Sequence, residues 1–245
     1  MTGIALCARF SLPTNRLGFC GTPEAGESLR RAIEEGKDVE LAGQTLRSFE
    51  ALYPYLETIG ESAGFDALDA RVVEAYWIGN ELLDRDWREP YRELLERLTT
   101  RGLPRSLAAR LAACLPDGAI PHHTFHVLFV GVGAVTGHVP TTLANMERCR
   151  VSWGTVREVR EGALAIEGPE LRWDGTRFHV GAPRGLTVAH DPGLVRGLEE
   201  GRAVAVHWEN AVDRLDRVRL AALDRYTQLS IHAANEAASA ISAAG

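Results

Sequence analysis

Apolar residues recur at three- and four-residue spacing through the first half of the chain and at two-residue spacing through the second. Thr22-Pro23 predicts a helix start, the helix running over Glu24 to Glu35 and stopped by Gly36. Leu46, Phe49, Leu52, Tyr53 and Leu56 predict a second helix over Gln44 to Glu61, with Pro54 as a kink. Phe65, Leu68, Val72, Tyr76 and Leu83 form a stripe over Asp66 to Arg85. Tyr91, Leu94, Leu95 and Leu98 keep the helical period without a miss. Leu107, Leu111 and Leu115 give a short helix that Pro116 and Gly118 end. The segment from Pro121 to Gly137 carries β-favouring residues and two glycines, so it reads as a strand or a buried irregular piece.

From Cys149 the pattern becomes one of short strands. They are expected at Arg150 to Val159, Ala163 to Ile166, Leu171 to Trp173, Arg177 to Val180, Leu186 to Ala189 and Ala203 to His207. Asp174-Gly175 between apolar pieces is a two-residue hairpin signal. Short strands at this spacing within about sixty residues predict a small barrel. A helix is expected from Leu215, with Leu220, Leu223 and Tyr226 on the barrel and the Ala-rich end fraying. The fold class is therefore α+β: a helical domain over 1–145, then a small β-barrel with a C-terminal helix over 146–245.

Composition narrows the function classes. The 245 residues are 45% apolar and 24% charged, the balance of a globular protein with a substantial core. The net charge is −6, and the arginines are scattered among acids, so no basic surface for nucleic acid is expected. No apolar run reaches the length of a membrane span, and the N-terminal MTGIALCARFSLP lacks a signal-peptide pattern, so a cytoplasmic location is expected. Cys7, Cys20, Cys114 and Cys149 are far apart and form no C-x-x-C pair. Disulfides are not expected, and a useful cysteine must act singly. Cys7 and Cys114 read as packing residues.

Two groups of residues carry candidate chemistry. Cys149 opens the first expected barrel strand and His207 closes the last, positions that a small closed barrel can bring side by side. A thiolate and an imidazole together suit iron or zinc, and two ligands leave positions open. His122, His123 and His126 form the second group, with Cys20, Glu74 or Asp117 as further donors. Cys20 lies in a glycine-flanked Phe-Cys pair and faces either a cleft or the inside of a tight turn. Arg71 and Glu74 are spaced for an i, i+3 ion pair, and the helix bearing Tyr76 and Trp77 reads as core. No P-loop, no G-x-S-x-G elbow and no H-E-x-x-H motif is present.

The stretch Cys149 to Leu223 resembles the HypC/HupF family of [NiFe]-hydrogenase maturation chaperones. The likeness rests on Cys149, Gly154 and Val156 in C-x-x-x-x-G-x-V, on Ala163-Leu164-Ala165-Ile166, on Leu198 through Val206-His207, and on Ala211 and Leu215. The resemblance implies an OB-like, HypC-like barrel that carries iron bearing cyanide and carbonyl ligands on Cys149 and His207. It also implies a HypD-like partner and delivery to the hydrogenase large subunit. Phe10 to Gly21, Arg71 to Asn80 and Pro121 to Val127 resemble motifs of an uncharacterised bacterial family often encoded near hydrogenase genes. The rival expectation is a metal-dependent enzyme with its site at Cys20, His122, His123 and His126 and the barrel as a docking module.

Overall fold

The computed structural model describes residues 2–22 and 24–243, so Pro23 and the last two residues of the expected frayed end lie outside the described residues. The fold is mixed α+β. Helix α1 spans Gly3–Arg16, α2 Ala25–Glu34, α3 Val39–Arg47, α4 Tyr53–Ala63, α5 Ala70–Trp77, α6 Arg88–Thr99 and α7 Arg105–Ala113. The long helix expected over Gln44 to Glu61 is two helices. Pro54 stands in the first turn of α4, where its missing N–H costs nothing, and starts that helix instead of kinking one. The helix expected to reach Arg85 ends at Trp77. Gly79 has φ +97°, and a Cβ there would lie 2.0 Å from Tyr226 Cδ2, so the chain turns where it meets the C-terminal helix.

The segment after Pro121 is a buried helical piece and not a strand. Helix α8, His123–Phe125, runs into one wide π-helical turn over His126–Gly131. That turn stacks Phe125 on Phe129 at 4.8 Å. Helix α9, Leu143–Cys149, crosses the point at 146 where the change of texture is placed, and Thr142 caps it.

The strands are β1 Ser152–Arg160, β2 Ala163–Gly168, β3 Leu171–Trp173, β4 Phe178–Val180, β5 Arg184–Ala189, β6 Ala203–His207 and β7 Asn210–Leu215. Five of them close in the order β1-β2-β5-β7-β6. All neighbours are antiparallel except β5 and β7, which meet at one parallel bridge, Ala189 to Asn210. Closure leaves no long free edge. Val156, Leu164, Ile166, Val188, Val204 and Leu215 are buried in this unit. Gly154 allows its tight bore, because a Cβ there would sit 2.8 Å from Ile166 Cδ1. The hairpin expected at Asp174-Gly175 is β3–β4; four residues, 174–177, join its strands and not two, and it stands apart from the closed sheet.

The C-terminal helix α10, Arg217–Ala243, continues through the Ala-rich end as far as residue 243. It buries Ile231, Ala233, Ala234 and Ala237. Asn235 explains part of this order: its amide exchanges hydrogen bonds of 2.8 and 2.9 Å with the main chain of Phe178 in β4.

The helical part and the barrel share one continuous core. Helix α1 packs on β7. A charged cluster fastens the seam: Asp213 in β7 meets Arg9 of α1 at 2.5 Å and Arg219 of α10 at 2.7 Å, and Arg219 also meets Glu74 of α5 at 2.8 Å. Glu74 therefore does not pair with Arg71, which bonds Asp69 and lies over the Phe65 ring. Among the described residues no helix is long and apolar enough to cross a membrane.

Candidate metal centre

Three side chains from three separate elements converge at this seam. His123 opens α8, Cys149 is the last residue of α9, and His207 ends β6. One donor atom from each lies within 4.8 Å of the others. Among the described residues this is the one group of three or more such donors. Cys149 is thus a helix terminus and not the start of the first strand, and His207 ends the penultimate strand because β7 follows it.

The local structure pins each donor. Cys149 lies between two anchors. The carbonyl of Arg148 accepts from the Trp208 main-chain N–H at 2.6 Å. The Arg150 guanidinium, fully buried, donates to Glu147 at 2.7 and 3.2 Å and to the Pro169 carbonyl at 3.1 Å. Glu147 in turn accepts from the Leu171 N–H at 2.7 Å, which ties α9 to β3. His207 donates from Nδ1 to the Phe10 carbonyl of α1 at 2.7 Å. Its Nε2 therefore carries the lone pair, and this atom is buried without a hydrogen-bond partner. A ligating histidine ordinarily gives its other N–H to a carbonyl in this way.

His123 is held at both nitrogens. Nε2 donates to the Cys149 carbonyl at 2.8 Å, and Nδ1 lies 2.9 Å from the Tyr76 hydroxyl. The Cys149 Sγ is 3.8 Å from Nε2. Tyr76 can donate to Nδ1 or accept from it. A shift of the ring proton to Nδ1 keeps that bond and frees Nε2 for a metal. The His123 and His207 rings stand at 90°, 5.3 Å apart, and Trp77 packs against both at 4.4 and 5.3 Å. The helix of Tyr76 and Trp77 is core, as expected, and it also forms one wall of the site.

Burial sets the charge state. It pushes the Cys149 thiol well above its ordinary range, an effect that the Trp208 indole partly opposes. It holds His207 down to about 4 against the Phe10 carbonyl, and it lowers His123 well below 6.5, with His207 and His126 adding to the effect. At neutral pH both imidazoles are neutral and the sulfur keeps its proton. Binding a cation releases that proton, and the thiolate then offsets the metal charge.

The donors face a cavity of about 60 Å³ that is walled by Phe19, Cys20, Phe49, Leu52, Val135 and Val139. One water occupies on the order of 10–15 Å³ on this measure, so the space takes a few water-sized molecules. It is far below the roughly 300 Å³ at which sites for organic ligands begin. The walls exclude competing polar ligands, and the three donors leave coordination positions open toward the cavity.

The second expected group does not assemble into a site of its own. His122 turns away to Ser230 and the Tyr226 ring, with Nδ1 3.3 Å from Ser230 Oγ. His126 bonds the Tyr55 hydroxyl at 2.9 Å, and Tyr55 bonds Tyr91 at 3.0 Å. Asp117 is exposed and pairs with Arg88. Cys20 lines the cavity, so of its two readings the cleft-facing one is observed, and burial pushes its thiol up to about 12. All four cysteines are free. Cys7 is fully buried beside Trp77 and Ser11, and Cys114 is half-buried. The residue that sequence reasoning put in the wrong group is His123. Its only signal was membership of the histidine run, which does not say which of the three points at the barrel.

A search of curated proteins gives no match, and neither does a search of solved structures. Residues 1–240 match the model of DUF6390, a family of unknown function, and the chain belongs to that family.

Proposed function

We propose that this protein is a carrier of a metal centre held by His123, Cys149 and His207. The observation that carries this reading is the bare, buried lone pair of His207 Nε2 beside a cysteine sulfur and a second imidazole. An orphaned acceptor in an apolar surround is costly unless something fills it, and a soft or borderline cation fits this donor set. A structural site would close all four positions with protein donors, whereas a carrier keeps some open.

The likeness of residues 149–223 to HypC names the cargo in this reading: iron with cyanide and carbonyl ligands, bound for a [NiFe] hydrogenase. The five-stranded closed unit is then an OB-like, HypC-like barrel. A HypD-like protein hands over the iron in the cytoplasm, and the hydrogenase large subunit receives it. The fit to the cargo is chemical. Thiolate is a strong donor to low-spin iron, the imidazoles complete the protein side, and the small apolar cavity suits diatomic ligands that need no hydrogen-bond partners. The helical half supplies His123, the walls of the cavity and cover from water.

The test is to purify the chain anaerobically after co-expression with hydrogenase maturation proteins and to record infrared spectra. Cyanide and carbonyl stretching bands are expected in the wild type and not in Cys149→Ala. Bands that persist unchanged in Cys149→Ala, or wild-type protein without metal or bands, overturn the reading.

A further inference from the structure

Trp208 follows the ligand His207 directly. It and Glu209 form the two-residue turn between β6 and β7, closed by the pair His207 and Asn210. Their φ values are +49° and +60°, the left-handed region that such turns usually fill with Asn-Gly or Asp-Gly. A tryptophan held there runs against local preference, so the turn itself does not account for it. Its contacts do. The Trp208 main-chain N–H donates to Arg148, the residue before Cys149. Its ring is buried and packs on Phe19 at 4.7 Å. The indole Nε1 is buried with no hydrogen-bond partner, and Trp208 lines the cavity that Cys149 also lines. Buried N–H groups are seldom left unpaired, and the Cys149 sulfur in the same cavity wall becomes a strong acceptor once it is a metal-bound thiolate.

We propose that Trp208 is the positioning residue of the centre: once a metal has displaced the thiol proton, the unpaired indole N–H donates to the Cys149 thiolate and fixes the direction of the sulfur's remaining lone pairs, so that the metal meets Cys149 Sγ and His207 Nε2 together. The turn makes the arrangement rigid, since one residue is bonded to the ligand before it in sequence and to the main chain beside the second ligand, with its ring in the wall of the cavity they share. Hydrogen bonds to a ligating sulfur weaken its donation to the metal and tune the centre. The inference rests on the metal reading above, and the test separates the two.

Cobalt(II) reports on the sulfur through its charge-transfer band. In Trp208→Phe, which keeps a ring and removes the N–H, the band is expected to move to lower energy, with cobalt affinity falling about 10-fold. Phe19→Leu loosens the ring packing but keeps the N–H, and its band is expected to stay in place. The wild type gives a second readout that needs no variant. Loaded with a spin-half cadmium isotope, it is expected to show scalar coupling between one indole N–H and the metal, transmitted through the sulfur. A band unmoved in Trp208→Phe, or no such coupling, overturns the role of Trp208 while leaving the metal site standing. Wild-type protein that binds neither metal overturns both.

Discussion

Lowering the pH from 7 to 5 should strongly destabilise the metal-free protein, and the buried histidines set the size of the effect. His122 is held down to about 3, and His126 and His207 to about 4, in each case because burial penalises the charged ring. Unfolded, each returns to about 6.5. The unfolded chain therefore binds more protons than the fold as pH falls below 6.5. Stability is fully present above that value and is lost on the way down to the folded pKa. At pH 5 each of the three costs about 2 kcal/mol, and together about 6 kcal/mol; His123, which burial also lowers well below 6.5, adds to this in the same direction. A domain of ordinary stability has about 5–15 kcal/mol in all. Carboxylates contribute little in this window, because their ordinary values lie near 4. The assay is urea unfolding followed by tryptophan fluorescence, with chelator present, at half-unit steps from pH 7 to 5. The urea midpoint should fall steadily with a nearly constant slope. In His122→Asn the pH dependence should be smaller by about one quarter, since four buried rings share it, whatever that variant's stability at pH 7. A midpoint that is flat between pH 7 and 5 would refute the claim that these rings are buried and neutral.

The remaining predictions address single contacts. Glu209→Gly relieves a left-handed residue, which costs about 1–2 kcal/mol in a non-glycine, and forfeits only an exposed pair with Arg148. It should raise the melting temperature by about 2–4 °C in calorimetry. Gly79→Ala places a Cβ against the Tyr226 ring at positive φ and should cost about 3 kcal/mol in urea unfolding. Glu147→Ala strips the carboxylate from the fully buried Arg150 and should cost about 3–5 kcal/mol by the same assay. Tyr76→Phe removes the hydroxyl that lets His123 change tautomer. It should weaken zinc or cobalt about 10-fold in a chelator competition, and cost the metal-free protein about 1–3 kcal/mol in urea unfolding because His123 Nδ1 is left unpaired.

Elements whose two faces differ in polarity were legible in the sequence. Helix α6 buries Tyr91, Leu94, Leu95 and Leu98 and exposes most of the rest, so its period is clean. The β3–β4 hairpin announces itself through Asp174, whose carboxylate takes the N–H groups of Thr176 and Arg177. Helix α1 was hidden because it is buried almost all round: Phe10, Ser11, Leu12, Pro13, Thr14 and Asn15 are all inside, which erases any period. Strand β7 was hidden by Asp213, a charge in a strand core that makes sense only once Arg9 and Arg219 are placed beside it. The histidine run gave no hint of a π-helical turn, whose wider winding depends on packing beyond the segment.

The same distinction applies to the site. Cys149 and His207 were paired from their places in an expected barrel, and they do meet. The reason differs in part from the expectation, since Cys149 arrives on a helix end that Arg150 and Trp208 hold against the sheet. His123 comes from the other half of the chain, and no local pattern separates it from His122 and His126. Only the packed structure shows that one of the three faces the sulfur, one faces Ser230 and one faces Tyr55.

The most direct measurement is X-ray absorption at the edge of a metal bound stoichiometrically to the purified protein. With zinc the account predicts one sulfur at about 2.3 Å and two imidazole nitrogens at about 2.0–2.1 Å, the sulfur vanishing in Cys149→Ser and one nitrogen in His207→Ala. A metal shell of oxygen and nitrogen alone, or one unchanged in both variants, would contradict it.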